Sequence, residues 1–351
     1  MVTKAVVLLS GGLDSTLAAL LLQEQGVEIH GIHFSTGFCL SEHKRTMALF
    51  EPGQRQVRSE PQRAGKDLGI PIKNVELGEE YLETVLHPKH GYGANINPCI
   101  DCRIMMLRKA KAYADEIGAQ FVATGEVLGQ RPMSQRRDTM RVIEKESGLE
   151  GRLVRPLCAK RLPPTEPEKQ GLLDRERLLD FCGRGRRPQM ELIAQKGITD
   201  YPLPAGGCCF LTDRSYAARF RDLVAHSTER KITRDDLVLL KVGRHFRLSP
   251  VLKLIVGRDE GECRFLELFS AGRVRLEAVE VLGPVALTDG PLPSGEEEAL
   301  CARLVARFCD AKHEPVVAVE ARGGAATEAR LYKAAPLWDE TTMSRLRVLE
   351  E

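Results

Sequence analysis

Apolar positions follow two different rhythms along this chain. In the first half, short continuous apolar runs alternate with stretches of helical spacing. Residues 4–9 (KAVVLL) read as a buried strand, TLAALLLQEQG as a helix closed by Gly26, and VEIHGIHFST as a second strand. The pattern continues with a helix ending near Leu68, a strand at Ile72–Val75, a helix from about Ile104 to Ile117, a strand at Gln120–Thr124 and an apolar patch at Leu153–Pro156. Such a βαβ rhythm predicts an α/β fold, a parallel sheet with helices on both faces and ligands at the carboxyl ends of its strands. Residues 160–170 (KRLPPTEPEKQ) are Pro-rich and polar and read as a crossing loop, followed by helices at 174–182 and 189–196. Beyond residue 215 the rhythm changes. LVLLKVG, KLIVGR, RFLELF and RVRLEAVEVL, within 237–282, read as strands, and a helix at 295–310 and a strand at 315–321 complete a smaller α+β domain. The expected division is 1–215 and 216–351.

A length of 351 residues suits two domains, each able to bury a core. No apolar run is long enough to span a bilayer and the N-terminus does not read as a signal peptide, so the expected location is cytoplasmic, with no membrane partner. The formal charge of +2 excludes an indiscriminate polyanion binder. Basic residues are nevertheless in excess over 101–200 and over 216–250, which suits a local polyanion-binding face. Ten cysteines stand out in a chain expected in a reducing compartment, where metal, cluster or sulfur chemistry is a more natural use than disulfides.

SGGLDS, from Ser10 to Ser15, lies between the first strand and the first helix. Gly11 and Gly12 let backbone N–H groups turn inward, the hydroxyls of Ser10 and Ser15 add donors, and the helix start beyond Leu13 adds its positive end, a combination that holds a phosphate. There is no GxxxxGK[ST] motif. The loop resembles the SGGxDS signature of PP-loop ATP pyrophosphatases, whose fold is that of the adenine nucleotide alpha hydrolases. That resemblance implies ATP bound by Ser10–Ser15, Asp14 handling the nucleotide and its Mg²⁺, and cleavage of ATP to AMP and pyrophosphate as an acceptor is adenylated. It also implies that Phe34 and Gly125, at the ends of two other strands, lie against the nucleotide.

Two cysteine loops narrow the acceptor. NPCIDCR carries Cys99 and Cys102, and AGGCCF carries Cys208 and Cys209. These segments resemble the two cysteine loops of tRNA 2-thiouridylases, where Cys102 and Cys209 hold the functional places. ATGEVLGQRPMSQ, residues 123–135, is similar instead to tRNA 4-thiouridine synthetases around Gly125, Glu126, Gly129, Gln130, Ser134 and Gln135. The resemblance covers about residues 1–215 and implies thiolation of a tRNA uridine, 4-thiouridine being favoured over 2-thiouridine. The sulfur donor would be sulfide or a persulfide carrier such as a cysteine desulfurase. Catalytic roles would fall to Asp14, Cys102 and Cys209. Ordinary 2-thiouridylases lack a partner at Cys99 and have a single cysteine in the second loop.

Three uses of the four thiols stay open. They are a [4Fe–4S] cluster on Cys99, Cys102 and one of Cys208 and Cys209, a nucleophile and persulfide pair of Cys102 and Cys209, or a structural zinc site. The cluster is the leading expectation. Cys39, Cys158, Cys182, Cys263, Cys301 and Cys309 lack ligand spacing and read as small hydrophobes, Cys39 being the least certain because it follows the second strand. For tRNA, a pocket near Asn97 and Pro98 and backbone contacts from Arg131, Arg136, Arg137, Arg184, Arg186 and Arg187 are expected. The run 241–258 (KVGRHFRLSPVLKLIVGR) resembles the RNA-associated NFACT-R module, which adds Arg244 and Lys253 as RNA contacts. Competing functions are a PP-loop ligase or sulfur transferase for a small molecule, and a non-catalytic iron- or redox-sensing RNA-binding protein.

Overall fold

The computed structural model describes residues 2–50, 59–198, 201, 209–227, 231–289, 295–324 and 329–349. The chain forms two compact units. One comprises Met1–Cys39 and Val57–Cys209, the other Leu40–Gln56 and Phe210–Glu351.

The first unit is built on five parallel strands: β1 (Lys4–Leu8), β2 (Glu28–Ser35), β3 (Ile72–Glu76), β4 (Phe121–Thr124) and β5 (Leu153–Val154), in the order β3-β2-β1-β4-β5. Alternate residues of β1 serve opposite faces. Ala5 and Val7 pack with Ala19 and Leu22 of the helix Leu13–Gln23 and with Ala64 of the helix Glu60–Leu68. Val6 and Leu8 pack with Leu107, Ala110 and Ala114 of the helix Cys99–Ile117 and with Ile143 of the helix Arg137–Glu146. Burial on both faces explains why these strands read as unbroken apolar runs. Strand order reverses at β1, so the loops leaving β1 and β4 face each other across a switch point.

Three local expectations differ from the structure in this unit. The helix expected from about Ile104 begins at Cys99, so the CxxC occupies its first turn instead of preceding it. Over 174–182 only Arg175–Arg177 is helical, as a 3₁₀ turn. Beyond it the backbone bonds sideways, with Leu179 N donating to Pro156 O and Phe181 N to Leu157 O. The crossing loop at 160–170 contains a short helix, Glu166–Lys169, started by a Thr165/Glu168 capping box.

The second unit carries six antiparallel strands: β6 (Arg244–Ser249), β7 (Leu252–Val256), β8 (Val274–Ala278), β9 (Ala286–Asp289), β10 (Val317–Gly323) and β11 (Arg330–Ala334), in the order β11-β10-β8-β9-β7-β6. The helix Glu296–Arg307 covers one face through Cys301, Ala302, Leu304 and Val305. LVLLKVG and RFLELF are not strands. Residues Arg234–Leu239 and Glu260–Glu267 are helical, each started by a side-chain cap: Asp236 N donates to Thr233 Oγ1 and Glu262 N to Asp259 Oδ1. These caps decide against the strand that an apolar run of this length also permits. Among the described residues no helix is long and apolar enough to cross a membrane.

Candidate active site

The SGGLDS loop leaves β1 and enters the helix Leu13–Gln23 with Gly12 at its N-cap. Its serines knit it together. Ser10 Oγ and Ser15 Oγ lie 3.1 Å apart, Ser15 Oγ donates to Gly12 O at 3.0 Å, and Gly12 N donates to Ser10 Oγ at 3.3 Å. Gly11 has φ +77°, and a Cβ there would stand 2.2 Å from the carbonyl carbon of Glu60. Glycine is therefore required twice, for the dihedral and for the close approach of the next helix. That helix also brings Arg63, whose Nη2 donates to Gly11 O at 3.4 Å. Arg63 is a cation at the loop that no local motif marks.

The loop after β4 closes on the same place. A Cβ on Gly125 would lie 2.5 Å from the carbonyl carbon of Asp14, so the two loops meet backbone to backbone. Gln130 Nε2 donates to Asp14 Oδ2 at 2.7 Å, and Gln189 Nε2 donates to Gln130 Oε1 at 3.2 Å. Asp14 Oδ1 is buried with no hydrogen-bond partner among the described residues. A buried carboxylate oxygen left open beside an N–H-rich loop is suited to an incoming cation or a water carried by one. Phe34 closes β2, half-buried against the core.

Glu126 and its neighbours brace this loop. Burial alone would raise the Glu126 carboxyl, but Arg103 and Arg155, with the hydroxyl of Thr124, outweigh it and hold the pKa below the usual value. Arg155 Nε lies 3.1 Å from Glu126 Oε2, and Arg155 Nη1 reaches Glu144 Oε2 at 2.8 Å. Ser134 and Gln135 are buried, and Gly129 N donates to Gln135 O at 2.7 Å. The segment 125–135 is thus a strut that delivers Gln130 to Asp14.

Cys99 and Cys102 sit three residues apart in the first turn of their helix, so they share a face. A crossover helix runs against its strands, which puts this turn at the carboxyl edge of the sheet, the edge of the SGGLDS loop. Asn97 O accepts from Gly93 N and Cys99 N, both at 2.9 Å, and Pro98 is buried at the N-cap. His90, in the preceding loop, is clamped between Asp101 Oδ1 at 2.8 Å and Glu146 Oε1 at 3.1 Å, a structural use.

Tyr81, 1% exposed, was not marked by any motif. Burial raises its phenol pKa well above 10, and Cys102, Cys209 and Cys99 push it further, its hydroxyl donating to Cys102. Three of the four expected thiols therefore act electrostatically on one hydroxyl, Cys102 by a hydrogen bond as well. Cys39 joins them at the backbone, in an antiparallel bridge with Cys209, while Phe38 packs on Tyr81 with ring centroids 5.6 Å apart. Cys208 lies outside the described residues. Among the described residues no three His, Cys, Asp or Glu side chains close into a metal-holding group. The donor set is soft enough for iron or zinc, but the described thiols as placed do not form such a site.

The other cysteines divide. Cys158, Cys301 and Cys309 are buried, with burial raising the Cys158 thiol to about 11 and the Cys301 thiol to about 12. Cys182 is exposed.

Of the expected RNA contacts, Arg136 and Arg184 are exposed and Arg131 and Arg186 half-buried. Arg137 donates to Arg161 O at 2.9 Å and Arg187 pairs with Glu191 at 2.7 Å. Arg244 is half-buried. Lys253 departs from expectation. It is 1% exposed, with its ammonium 3.4 Å from Asp289 and 3.8 Å from Asp222, so it neutralises buried carboxylates and presents no charge to solvent.

Comparison with known proteins finds matches to two separate stretches of the chain. Residues 3–145 match the family described as tRNA methyl transferase HUP domain, and residues 243–345 the NFACT protein RNA binding domain. A tRNA-specific 2-thiouridylase of Syntrophotalea carbinolica is 33% identical over 130 residues, 34% of this chain and 33% of that protein. A probable tRNA sulfurtransferase of Thermococcus kodakarensis is 29% identical over 179 residues, 51% of this chain and 40% of the other. A 4-thiouridine synthetase solved with RNA and ATP is 26% identical, over 44% of this chain and 36% of that one, at a TM-score of 0.32. The chain spans about a third of the length of the 2-thiouridylases it matches. Two separate stretches of the chain are thus similar to known domain families, residues 3–145 to a HUP domain and residues 243–345 to an RNA-binding domain.

Proposed function

We propose that the protein is an ATP-dependent tRNA uridine thiolase, with 4-thiouridine as the favoured product. The observation that carries this reading is the pairing, on one sheet edge, of an SGGLDS loop opposed by Gly125 and Gln130 with Cys99 and Cys102 in the first turn of their helix and Cys209 bridged to Cys39. The relatives named for tRNA thiolation support it. The lean to the 4-position rests on the 123–135 segment.

In this reading Ser10–Ser15 and Arg63 hold the phosphates of ATP, and Asp14 faces the Mg²⁺ that accompanies them. The uridine carbonyl oxygen attacks the α-phosphorus, pyrophosphate leaves, and the base is adenylated. Adenylation is needed because an amide-type oxygen is a poor leaving group at neutral pH. The outer sulfur of a persulfide on Cys209 attacks the activated carbon and AMP departs. The Cys102 thiolate then attacks Cys209 Sγ. The thiocarbonyl is released and a Cys102–Cys209 disulfide closes, which an external thiol reopens with two electrons. Tyr81 stabilises the Cys102 thiolate by donating to it.

A second reading is favoured by the one-turn spacing of Cys99 and Cys102. A [4Fe–4S] cluster on these two and on Cys208 or Cys209 would offer an iron site for sulfide. Nucleoside mass spectrometry of tRNA from a deletion strain tests the function, and unchanged levels of every thiolated uridine would refute it. Iron and acid-labile sulfide in anaerobically purified protein separate the two sulfur routes. The persulfide route predicts neither, and tolerates Cys99→Ala.

A further inference from the structure

In the second unit, a row of cations and rings extends from Arg244, one of the expected RNA contacts. The Arg244 guanidinium carbon stands 4.6 Å from the Phe308 ring centroid. Arg307 stands 5.9 Å from that ring and 3.9 Å from the Trp338 ring. Trp338 stacks on His313, with centroids 5.3 Å apart and planes 24° apart. The row is assembled from distant parts of the sequence: the start of β6, the end of the helix Glu296–Arg307, the turn after it, and the segment before the helix Glu340–Leu346.

Trp338 is the chain's one tryptophan, and it is 47% exposed. A large ring held at the surface between polar groups is the kind of feature that marks a contact site. Arginines gather along the row, next to the acidic Asp339 and Glu340 that follow Trp338. Burial, then Arg258 and Arg347, lower the pKa of Arg244. Glu262 answers Arg258, whereas Arg347 makes no ion pair among the described residues and the Arg307 carboxylate partner, Glu340, is 3.8 Å away. Guanidinium groups beside flat π faces complement an unstacked nucleotide in both of its parts, the phosphate and the base. A duplex hides its base faces and offers only the first part.

We propose that this row takes unpaired nucleotides of RNA, with a base joining the Trp338–His313 stack and the flanking phosphates lying against Arg307, Arg347 and Arg244. The proposal rests on the reading of residues 243–345 as an RNA-binding unit and adds which surface binds and which strandedness it selects.

Trp338 supplies its own readout, because all tryptophan emission of the full chain comes from it. Transfer RNA binding is measured by filter retention. Emission is followed during titration with tRNA, with a short unstructured RNA and with a blunt RNA duplex of equal length. The expected result is saturable quenching by tRNA and single strand but not by duplex. Trp338→Ala should weaken tRNA binding roughly tenfold, while Trp338→Phe, which keeps a π face, retains most of it. Arg347→Ala should weaken binding and make its salt dependence shallower. Retention of tRNA with unchanged emission and a Trp338→Ala variant that binds like the parent would overturn this surface alone. Equal quenching by duplex would overturn the strandedness. No retention of any RNA would remove the RNA-binding reading and this proposal with it.

Discussion

Gln130 Nε2 donates to Asp14 Oδ2 across 2.7 Å, which fixes one oxygen of the carboxylate and leaves the other buried and open. If Asp14 serves the magnesium nucleotide, Gln130→Ala should shift the Mg²⁺ dependence of pyrophosphate release upward by roughly 10–100-fold, as loss of an orienting partner does. Gln130→Glu should be worse, because a second carboxylate raises the cost of ionising the first. A Mg²⁺ titration at saturating ATP measures both. An unmoved midpoint would show that Asp14 needs no such partner.

Tyr81→Phe removes the donor to Cys102 while keeping the ring that packs on Phe38. The Cys102 thiolate becomes less favoured, so its alkylation by iodoacetamide at neutral pH should slow by roughly tenfold. Peptide mapping of the labelled chain gives the rate at Cys102 itself. Cys182, exposed and remote from Tyr81 in sequence, serves as the internal reference.

Glu126→Gln leaves the buried Arg155 short of a counter-charge. Breaking one side of a buried pair costs on the order of 3–5 kcal/mol. Urea unfolding should show this as a lower midpoint with the slope unchanged. A midpoint equal to that of the parent would mean that Glu144 alone suffices for Arg155.

The second unit should lose stability in mild acid. Burial, then Arg219 and Lys253, keep His245 neutral and its pKa well below 6.5, and burial with Lys241 lowers His43 to about 4. The unfolded chain takes up protons at both positions below about 6.5 that the folded chain refuses, so stability falls as pH drops from 6.5 toward 4. Melting temperature measured across that window, in the parent and in His245→Gln, checks the sign. A decline of the same steepness in the variant would exclude His245 as a source.

Much of the first unit was legible because both faces of its sheet are buried. A short run rich in β-branched residues such as KAVVLL, ended at once by Ser-Gly-Gly, favours a strand that stops in a turn. RFLELF failed for the converse reason: Asp259, just before it, caps a helix, and the apolar run alone does not distinguish the two periods. Lys253 failed because its two carboxylate partners, Asp222 and Asp289, come from distant elements. Tyr81, Arg63 and Cys39 belong to the candidate site through tertiary neighbours, and no spacing rule registers those. The CxxC spacing marks Cys99 and Cys102, although the helix expected from Ile104 already starts at Cys99.

The short helix Leu40–Ala48 belongs with the residues beyond 210, where His43 and Phe50 pack on Phe265, although β2 and the helix Glu60–Leu68 on either side of it belong to the first unit. During synthesis that helix emerges long before its partner ring. At ordinary ribosomal speeds it waits roughly 10–45 s for that ring. The two units are therefore not interchangeable cassettes. A cut at residue 209 would part this helix from Phe265, and a cut that kept only 210 onward would uncover the side of Phe265 that His43 and Phe50 cover. Any truncation meant to separate the two units has to carry residues 40–50 with the later one, by circular permutation or by co-expression of the helix.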